Sequence, residues 1–591
     1  MSMIGFYASP LGDRAFLLRW HGEIEAGELA AKAIAIENRS LPWLLETVTA
    51  SRSIAIYMKA TSPMAMSDAI REVIPMAGRQ FVGEVSDLPP REVELPVVYG
   101  GEHGPDLADC AIRSEMTAEQ FAAKHSEVVY TVDAMGFAPG FPYLSGLPDG
   151  LTQPRHASPR LKVPAGSVGI AGDRTGIYPT DSPGGWQIIG RTAVPLFRPN
   201  HERPFLLSQG DRVKFVPVAE YSSIPAEAAA GDASRDRERP ANAALTVLKP
   251  GLHTTIQDSG RIGWRSSGVS PGGAMDGAAM RMANLLVGND EYAAVLELTL
   301  IGGHYICDND VLIAICGADL SPCAGGDPIP MNRPVYLARG AELSFGAVRS
   351  GCRAYVAVAG GIDVPDTLGS KSTDTRAGFG GRFGRALAEG DAIGSRPFSP
   401  QSSALLERIR TSAIKHKATW GTVKWSAAPP VASGLWQHGS RSGTLRLVPG
   451  AEWDDFTPES RKALLKSSYR VEASSDRMGL RLSGEALSRN ASEELSSHGV
   501  VPGTIQVPAG GQPIILGAGC QPTGGYPKIA HVITADWPML AQAAPGDRLY
   551  FEMVDLETAE RELANREKEF ARLKAGIFAY TRALMNGEGE S

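Results

Sequence analysis

Residues 163–186 read VPAGSVGIAGDRTGIYPTDSPGGW, and GDRVKFVPV follows at 210–218; the fold turns on this phrase. VPAG returns at 507–510, a Gly- and Tyr-bearing loop returns as TGGYPKIA at 523–530, and the closing run returns as GDRLYFEMV at 546–554. Each piece alone is a common turn–strand phrase. Three matched pieces in one order make several copies of one β-rich module the better reading. A third closing strand is expected at GAELSFGAV, 340–348. Short Val/Ile/Tyr/Phe runs bounded by Gly and Pro, such as REVELPVVYGG, VVYTVDAMGF and LKVPAGSVGIAG, read as further strands.

Working outward, 591 residues allow roughly three to five domains. A hydrophobic share of 43% and a charged share of 21% can bury a sizeable core, and 66 Gly with 42 Pro point to many turns. The net charge of −7, with Lys and Arg dispersed, lacks the basic stripe of a nucleic-acid binder. Six cysteines (Cys110, Cys307, Cys316, Cys323, Cys352, Cys520) form no C-x-x-C pair and do not cluster with His, so reduced buried thiols are expected and no metal site. The N-terminus meets Asp13 and Arg14 before a signal-peptide core develops, and no run of about 18 apolar residues occurs. The expectation is a cytoplasmic protein with no membrane segment.

The chain divides as follows. Residues 1–88 mix elements: SRSIAIYMKA reads as a strand, and MAMSDAIREVIPMAG as a helix with Ser67 as its N-cap. Residues 89–218 are strand-rich, with a helix at 117–126, TAEQFAAKHS. Residues 219–243, poor in large apolar side chains, read as a linker. A β-rich region at 244–395, a second linker at 396–440 holding a short helix near 403–413, and a β-rich region at 441–553 follow. In the tail, 554–591, Leu556, Leu563, Phe570, Ile577 and Leu584 recur every seventh position. That is an amphipathic helix, packed on the body or on a partner subunit of a homo-oligomer, with plain packing favoured.

Common cofactor signatures are missing. LGSKST (368–373) lacks the upstream Gly of a Walker A loop, and Met58-Lys59 lies in a strand without the second Met of a biotin hairpin. Neither a G-x-S-x-G elbow nor H-E-x-x-H is present. Gly-rich loops carrying polar and aromatic residues remain. GFAPGFPYLSGLP (136–148) offers Phe137, Pro139, Gly140, Phe141 and Tyr143; SPGGW adds Gly184, Gly185 and Trp186; and Arg160 stands ready for an anion. Singly, such aromatics plug barrel ends; as a set they form a pocket rim. In the second half, Asp258 and Arg261 share a turn and Asp276 precedes a helix ended by Gly288. Glu297 sits on an apolar strand, as an arginine's ion-pair partner or as a pocket carboxylate, two readings of equal weight. Lys371, Arg376, Arg477 and Lys528 lie in glycine-bearing loops suited to phosphate or carboxylate, as do Gly525 and Tyr526, although each cation alone reads as a solvated charge.

These stretches resemble two known families. YGGEHGPDL, GFAPGFPYLSGLP, RLKVPAGSVGIAG and TGIYPTDSPGGWQIIGR resemble allophanate hydrolase subunit 1, the Kip inhibitor type. PGLHTTIQDSGRIGW, PGGAMD, RMANLLVGND, AVAGGIDVP, LGSKSTDTRAGFGGR, SSDRMGLRL and TGGYPKIA resemble subunit 2, the Kip antagonist type. The chain looks like a fusion of the two. The resemblance implies a mainly β fold with some α: a small α/β N-terminal domain, several cyclophilin-like β-barrels and a C-terminal helix. It implies fused B and C subunits of an ATP-dependent 5-oxoprolinase, using ATP with Mg and a separate LamB/YcsF-type subunit to open a small lactam. The alternatives are the carboxyltransferase of a urea carboxylase, with biotin carried on another chain, and a Kip-like regulator of a histidine kinase. Catalytic candidates are Asp258, Arg261, Lys371, Arg376 and Lys528; the other residues singled out above are substrate-binding candidates. Replacing Phe141 and Tyr143 by Ala is expected to abolish turnover at a nearly unchanged melting transition. Three positions depart from the family pattern: Gly519 and Cys520 stand where Asp-Arg is usual, and His498 where Glu is usual.

Overall fold

A computed structural model of the chain describes residues 5–22, 24–78, 91–221, 239–428, 442–490 and 495–585. Residues 222–238 of the first expected linker, 429–440 of the second and the end of the tail lie outside the described residues.

The two copies of the closing phrase close two barrels. In the first, seven strands from Glu92–Tyr99 to Arg212–Pro217 form a closed ring, and Arg212–Pro217 pairs parallel with Glu92–Tyr99 over Arg212↔Glu92 to Pro217↔Val97. In the second, seven strands from Ser442–Pro449 to Arg548–Met553 do the same, with Ser442↔Arg548 to Leu447↔Met553 in parallel register. Each GDR turn therefore returns the chain beside the strand that opened the barrel, leaving no sheet edge. Inward-facing residues fill the rings: Leu95, Tyr130, Val168 and Phe215 in one, Leu445, Leu480, Ile505 and Phe551 in the other.

The expected third closing strand does not close a barrel. Glu342–Phe345 pairs antiparallel with His304–Cys307 and Pro322–Ala324 inside an open six-stranded sheet. A second six-stranded sheet accompanies it, and Ile256, Leu296, Ile313, Val335 and Val356 belong to one core with Leu245 and Leu343. Burial between sheets does here what ring closure does in the barrels. Residues 396–428 carry the helix Pro400–Lys415, capped by Ser399, and the strand Trp420–Thr422, which adds to the second sheet.

At the N-terminus four antiparallel strands carry helices Ala26–Glu37 and Met66–Ala77 over Phe16, Leu18, Ile54 and Ile56. The opposite face, with Leu17, Ala55 and Tyr57, packs against Val501 of the second barrel. Ser67 is not the cap of the second helix: Ala65 is, without a side-chain bond, and Glu560 Oε1 accepts from the Met66 N–H at 2.7 Å. Glu560 belongs to the tail helix Leu556–Met585, whose Leu563, Phe570 and Ile577 are buried at seven-residue spacing. Phe570 lies 3.7 Å beneath the Arg281 guanidinium, which also pairs with Glu567 at 2.9 Å. No helix among the described residues is long and apolar enough to cross a membrane.

Candidate functional site

The strand Val129–Met135 runs into the proline- and glycine-rich loop from residue 136, whose backbone is unusual. Phe137 has φ +63°, a left-handed conformation that bulky side chains rarely adopt. Close packing on both parts of the second half holds it there. A Cβ on Gly136 would lie 2.6 Å from Thr523 Oγ1, and one on Gly268 would lie 2.4 Å from the Ala138 carbonyl. The Gly140 N–H donates to the Ser267 carbonyl at 2.9 Å. Those glycines let the first barrel's loop reach the second half.

Between the two barrels lies a cleft of about 890 Å³. Phe137, Phe141, Tyr143, Tyr178 and Trp186 wall one side, with Arg155, His156, Gly184 and Gly185 beside them. Phe141 is the hub of this wall, 5.0–5.5 Å from the rings of Phe137, Tyr143, Tyr178 and Trp186. It is only 1% exposed, so it is core and wall together. The other side comes from the second barrel: Phe456, Arg489, Pro508, Thr523, Gly524, Gly525 and Tyr526. The second VPAG and TGGYP phrases thus face SPGGW of the first barrel.

Two polar clusters brace the cleft from behind. Arg160 does not line it: its guanidinium binds Asp106 at 2.6 Å and His156 Nε2 at 2.8 Å, and His156 is the one facing the cleft. Burial alone would raise Asp106, but Arg160, the Ile188 N–H and His156 hold it below the usual carboxylate range. Lys528 is fully buried behind the TGGYP loop. Its Nζ donates to the Gly524 carbonyl at 2.7 Å and to His498 Nε2 at 2.8 Å. Glu452 accepts from the Lys528 N–H at 3.0 Å and from Arg19 at 2.7 Å, and sits 3.4 Å from His498. Burial pushes Lys528 down to about 7 and His498 down to about 4. A neutral His498 therefore accepts at Nε2 and donates from Nδ1 to the Gly499 carbonyl at 3.0 Å, a tautomer assigned from this network.

The remaining candidates lie elsewhere. Asp258 accepts from the Ser370 and Ser372 hydroxyls, both at 2.6 Å, and from the Lys371 N–H at 2.6 Å. Arg261 is buried over the Phe379 ring at 4.5 Å and donates to the Thr367 and Ser372 carbonyls. Lys371 Nζ donates to the Ile362 carbonyl at 3.4 Å. These three shape the 367–376 loop, whose Asp374 and Arg376 reach the cleft's shoulder, Arg376 5.3 Å above the Phe137 ring with Pro139 nearby. Asp276 caps helix Gly277–Leu286 through the Ala279 N–H at 2.9 Å. Glu297 pairs with Arg477 and accepts from Tyr355 at 2.9 Å, so of its two readings the ion pair is realised. Cys520 is buried near Arg265, and burial pushes its thiol up to about 12, which keeps it from acting as a thiolate. Arg155, His156 and Arg489 escaped the sequence reading, because nothing local separates QPRHA or SRN from ordinary polar turns.

Comparison with known proteins agrees with this architecture. Residues 6–207 match the family described as carboxyltransferase domain, subdomain C and D, and residues 267–553 match subdomain A and B. The C subunit of the Escherichia coli K12 5-oxoprolinase is 36% identical over 329 residues, 56% of this chain and 97% of that protein. The B subunit of the Bacillus subtilis 5-oxoprolinase is 38% identical over 227 residues, 37% of this chain and 95% of that protein. The urea amidolyase of Saccharomyces cerevisiae is 33% identical over 331 residues, 54% of this chain but 17% of that protein. A crystal structure of TTHA0988, 32% identical, superposes with a TM-score of 0.74 over 91% of this chain and 99% of that one.

Proposed function

Because the chain belongs to the carboxyltransferase-domain family that includes the 5-oxoprolinase B and C subunits, with both kinds joined in one polypeptide and amide hydrolysis as its chemistry, we propose that it is the B–C component of an ATP-dependent 5-oxoprolinase. Its partner in this reading is a separate LamB/YcsF-type subunit; the relatives' names, subunits B and C, support only that a further subunit exists. The observation that carries the proposal is a cleft of about 890 Å³ built from both halves of the chain.

An unstrained lactam resists water because its nitrogen lone pair is delocalised into the carbonyl. Transfer of the γ-phosphoryl group of ATP to the lactam oxygen removes that protection and yields an imidate phosphate with ADP. Water then adds at the former carbonyl carbon, and the C–N bond of that tetrahedral adduct breaks with the ring nitrogen leaving as the protonated amine. A second water hydrolyses the resulting acyl phosphate to glutamate and phosphate. The catalytic load is positioning and charge stabilisation. The aromatic wall around Phe141 and Trp186 packs the ring and excludes water. Arg155 and Arg489 face the phosphates, and His156, braced at Nε2 by Asp106 and Arg160, lies at the cleft edge. Lys528 holds the TGGYP loop through the Gly524 carbonyl. In this reading Mg enters with the nucleotide phosphates.

The test is phosphate release by the purified chain with the LamB/YcsF-type protein and ATP. Release with 5-oxoproline and none with urea is expected. A second reading, carboxyl transfer from biotin on another chain, draws on the carboxyltransferase descriptions of both matched regions and on the urea amidolyase likeness. Turnover with urea and a biotin carrier would favour it, and phosphate release with neither substrate would favour a regulator of a histidine kinase.

A further inference from the structure

Beside the main cleft is a small pocket of about 30 Å³, which shares Phe137 and Gln521 with it. Three separate parts of the chain build it: Thr180 and Ser182 from the first barrel, Ser270 and Arg376 from the sheet region, and Gly519 from the second barrel. We propose that this pocket is an anion subsite that takes the carboxylate of the substrate, with Arg376 and Ser182 as its specificity-determining residues.

Three observations point there. Ser182 is 5% exposed, and its hydroxyl has no hydrogen-bond partner. A buried donor left unpaired is costly, and an incoming acceptor relieves the cost. Arg376 holds a guanidinium against the Phe137 face and 3.3 Å from Met478 Sδ, with no carboxylate in ion-pair contact among the described residues. Asp374 also lines the pocket, and it turns Oδ1 away from any guest onto the Arg376 and Ala377 N–H groups at 3.1 and 2.9 Å. Finally, the space suits two oxygen-sized atoms, since one water needs roughly 10–15 Å³ on this measure. A carboxylate fits that space, whereas a nucleotide does not. Phe137 ties the pocket to the cleft: its left-handed backbone is held in place while its ring touches both spaces and carries the cation.

The assignment rests on the lactam reading and names what that reading leaves open, how the protein tells 5-oxoproline from an uncharged lactam. A carboxylate bound at Arg376 places the adjoining ring along the aromatic wall. A site that pairs a substrate charge rejects the analogue lacking it far more strongly than a hydrophobic pocket rejects a missing methylene.

The experiment uses the full chain with its partner subunit and ATP, and compares wild type with Arg376→Gln, Arg376→Lys and Ser182→Ala. Arg376→Gln should raise KM for 5-oxoproline by about 10–100-fold, the loss of one charged hydrogen-bonded contact, with kcat changed only a few-fold. Arg376→Lys should recover part of the loss, and Ser182→Ala should cost a few-fold. Inhibition by 2-pyrrolidone, the lactam without the carboxylate, should be weaker than by an equally sized carboxylated lactam in wild type and indifferent to residue 376. The subsite is overturned if Arg376→Gln leaves KM for 5-oxoproline unchanged, or if KM for ATP rises in its place. Calorimetric binding of 5-oxoproline without ATP separates this proposal from the one beneath it. If wild type turns over no lactam, the functional reading falls; carboxylate binding lost in Arg376→Gln still supports the subsite, and binding absent or indifferent to that change removes it.

Discussion

The two barrels share a closing strand in parallel register and face each other across one cleft, but their walls are made differently. The first barrel presents a neutral wall of five aromatic rings centred on buried Phe141. The second presents a glycine loop whose carbonyl is held by a buried lysine in a polar chain, Arg19–Glu452–His498–Lys528, through a neutral imidazole. The two barrels have the same ring and differ in their loops. In one barrel the cleft wall is itself a buried apolar cluster beside the barrel core, so its shape depends on packing. In the other it hangs on desolvated charge, so its shape depends on protonation.

The strongest way to break the comparison is Phe141→Ala. Removing the hub of the aromatic wall should cost about 3–5 kcal/mol and lower the melting transition along with turnover. Tyr143→Ala, at a half-buried position, should cost clearly less stability while still lowering turnover. This divides the sequence expectation that both changes spare stability. A Phe141→Ala variant that melts like wild type would show the wall to be independent of the core.

The second barrel should answer to pH. The native pKa of Lys528, near 7, lies below the ordinary lysine value of 10.5. Between those values the unfolded chain binds the extra proton, so this lysine makes stability rise with pH, by up to about 1.4 kcal/mol per unit. Below pH 7 both states are protonated, and the burial cost is fully present. Lys528→Met removes that slope. Urea unfolding of both proteins from pH 7 to 9 should show the stability of wild type relative to the variant climbing with pH. A constant difference would mean that the buried amine stays protonated throughout, as it is in the unfolded chain, and that the contrast between the barrels is not one of protonation.

What the sequence disclosed follows the range of the forces involved. The barrel-closing strands and the tail helix were legible because their signals, a turn followed by a strand and a seven-residue apolar repeat, are local. GAELSFGAV carries the same local signal, yet its strand joins an open sheet, because the pairing partner is chosen by burial far along the chain. Asp258, Arg261 and Lys371 looked like site residues since a charge in a glycine loop advertises a ligand. Their partners are hydroxyls and carbonyls brought in by the fold: Ser370 lies 112 residues from Asp258, beyond any sequence window. The aromatic loop was readable as a pocket wall because no regular element accommodates it, whereas its strain at Phe137 is visible only in the backbone.

The smallest expected effect concerns how the barrels end. The second barrel's closing strand runs directly into the tail helix, and Glu560 on that helix accepts the Met66 N–H at 2.7 Å at the start of helix Met66–Ala77. Ala65, in the cap position, has no side-chain acceptor to offer, so Glu560 supplies from nearly 500 residues away what an N-cap side chain supplies locally. Glu560→Ala should therefore destabilise the protein by about 0.5–2 kcal/mol, the range for a lost N-cap. A local cap, Ala65→Ser, offers its hydroxyl to the Ser67 or Asp68 N–H and not to that of Met66, so its gain should simply add to the loss in the Glu560→Ala background. A Glu560→Ala variant as stable as wild type would show that the tail supports the N-terminal unit through apolar contact, with Leu556 against its core, and that the carboxylate contributes nothing of its own.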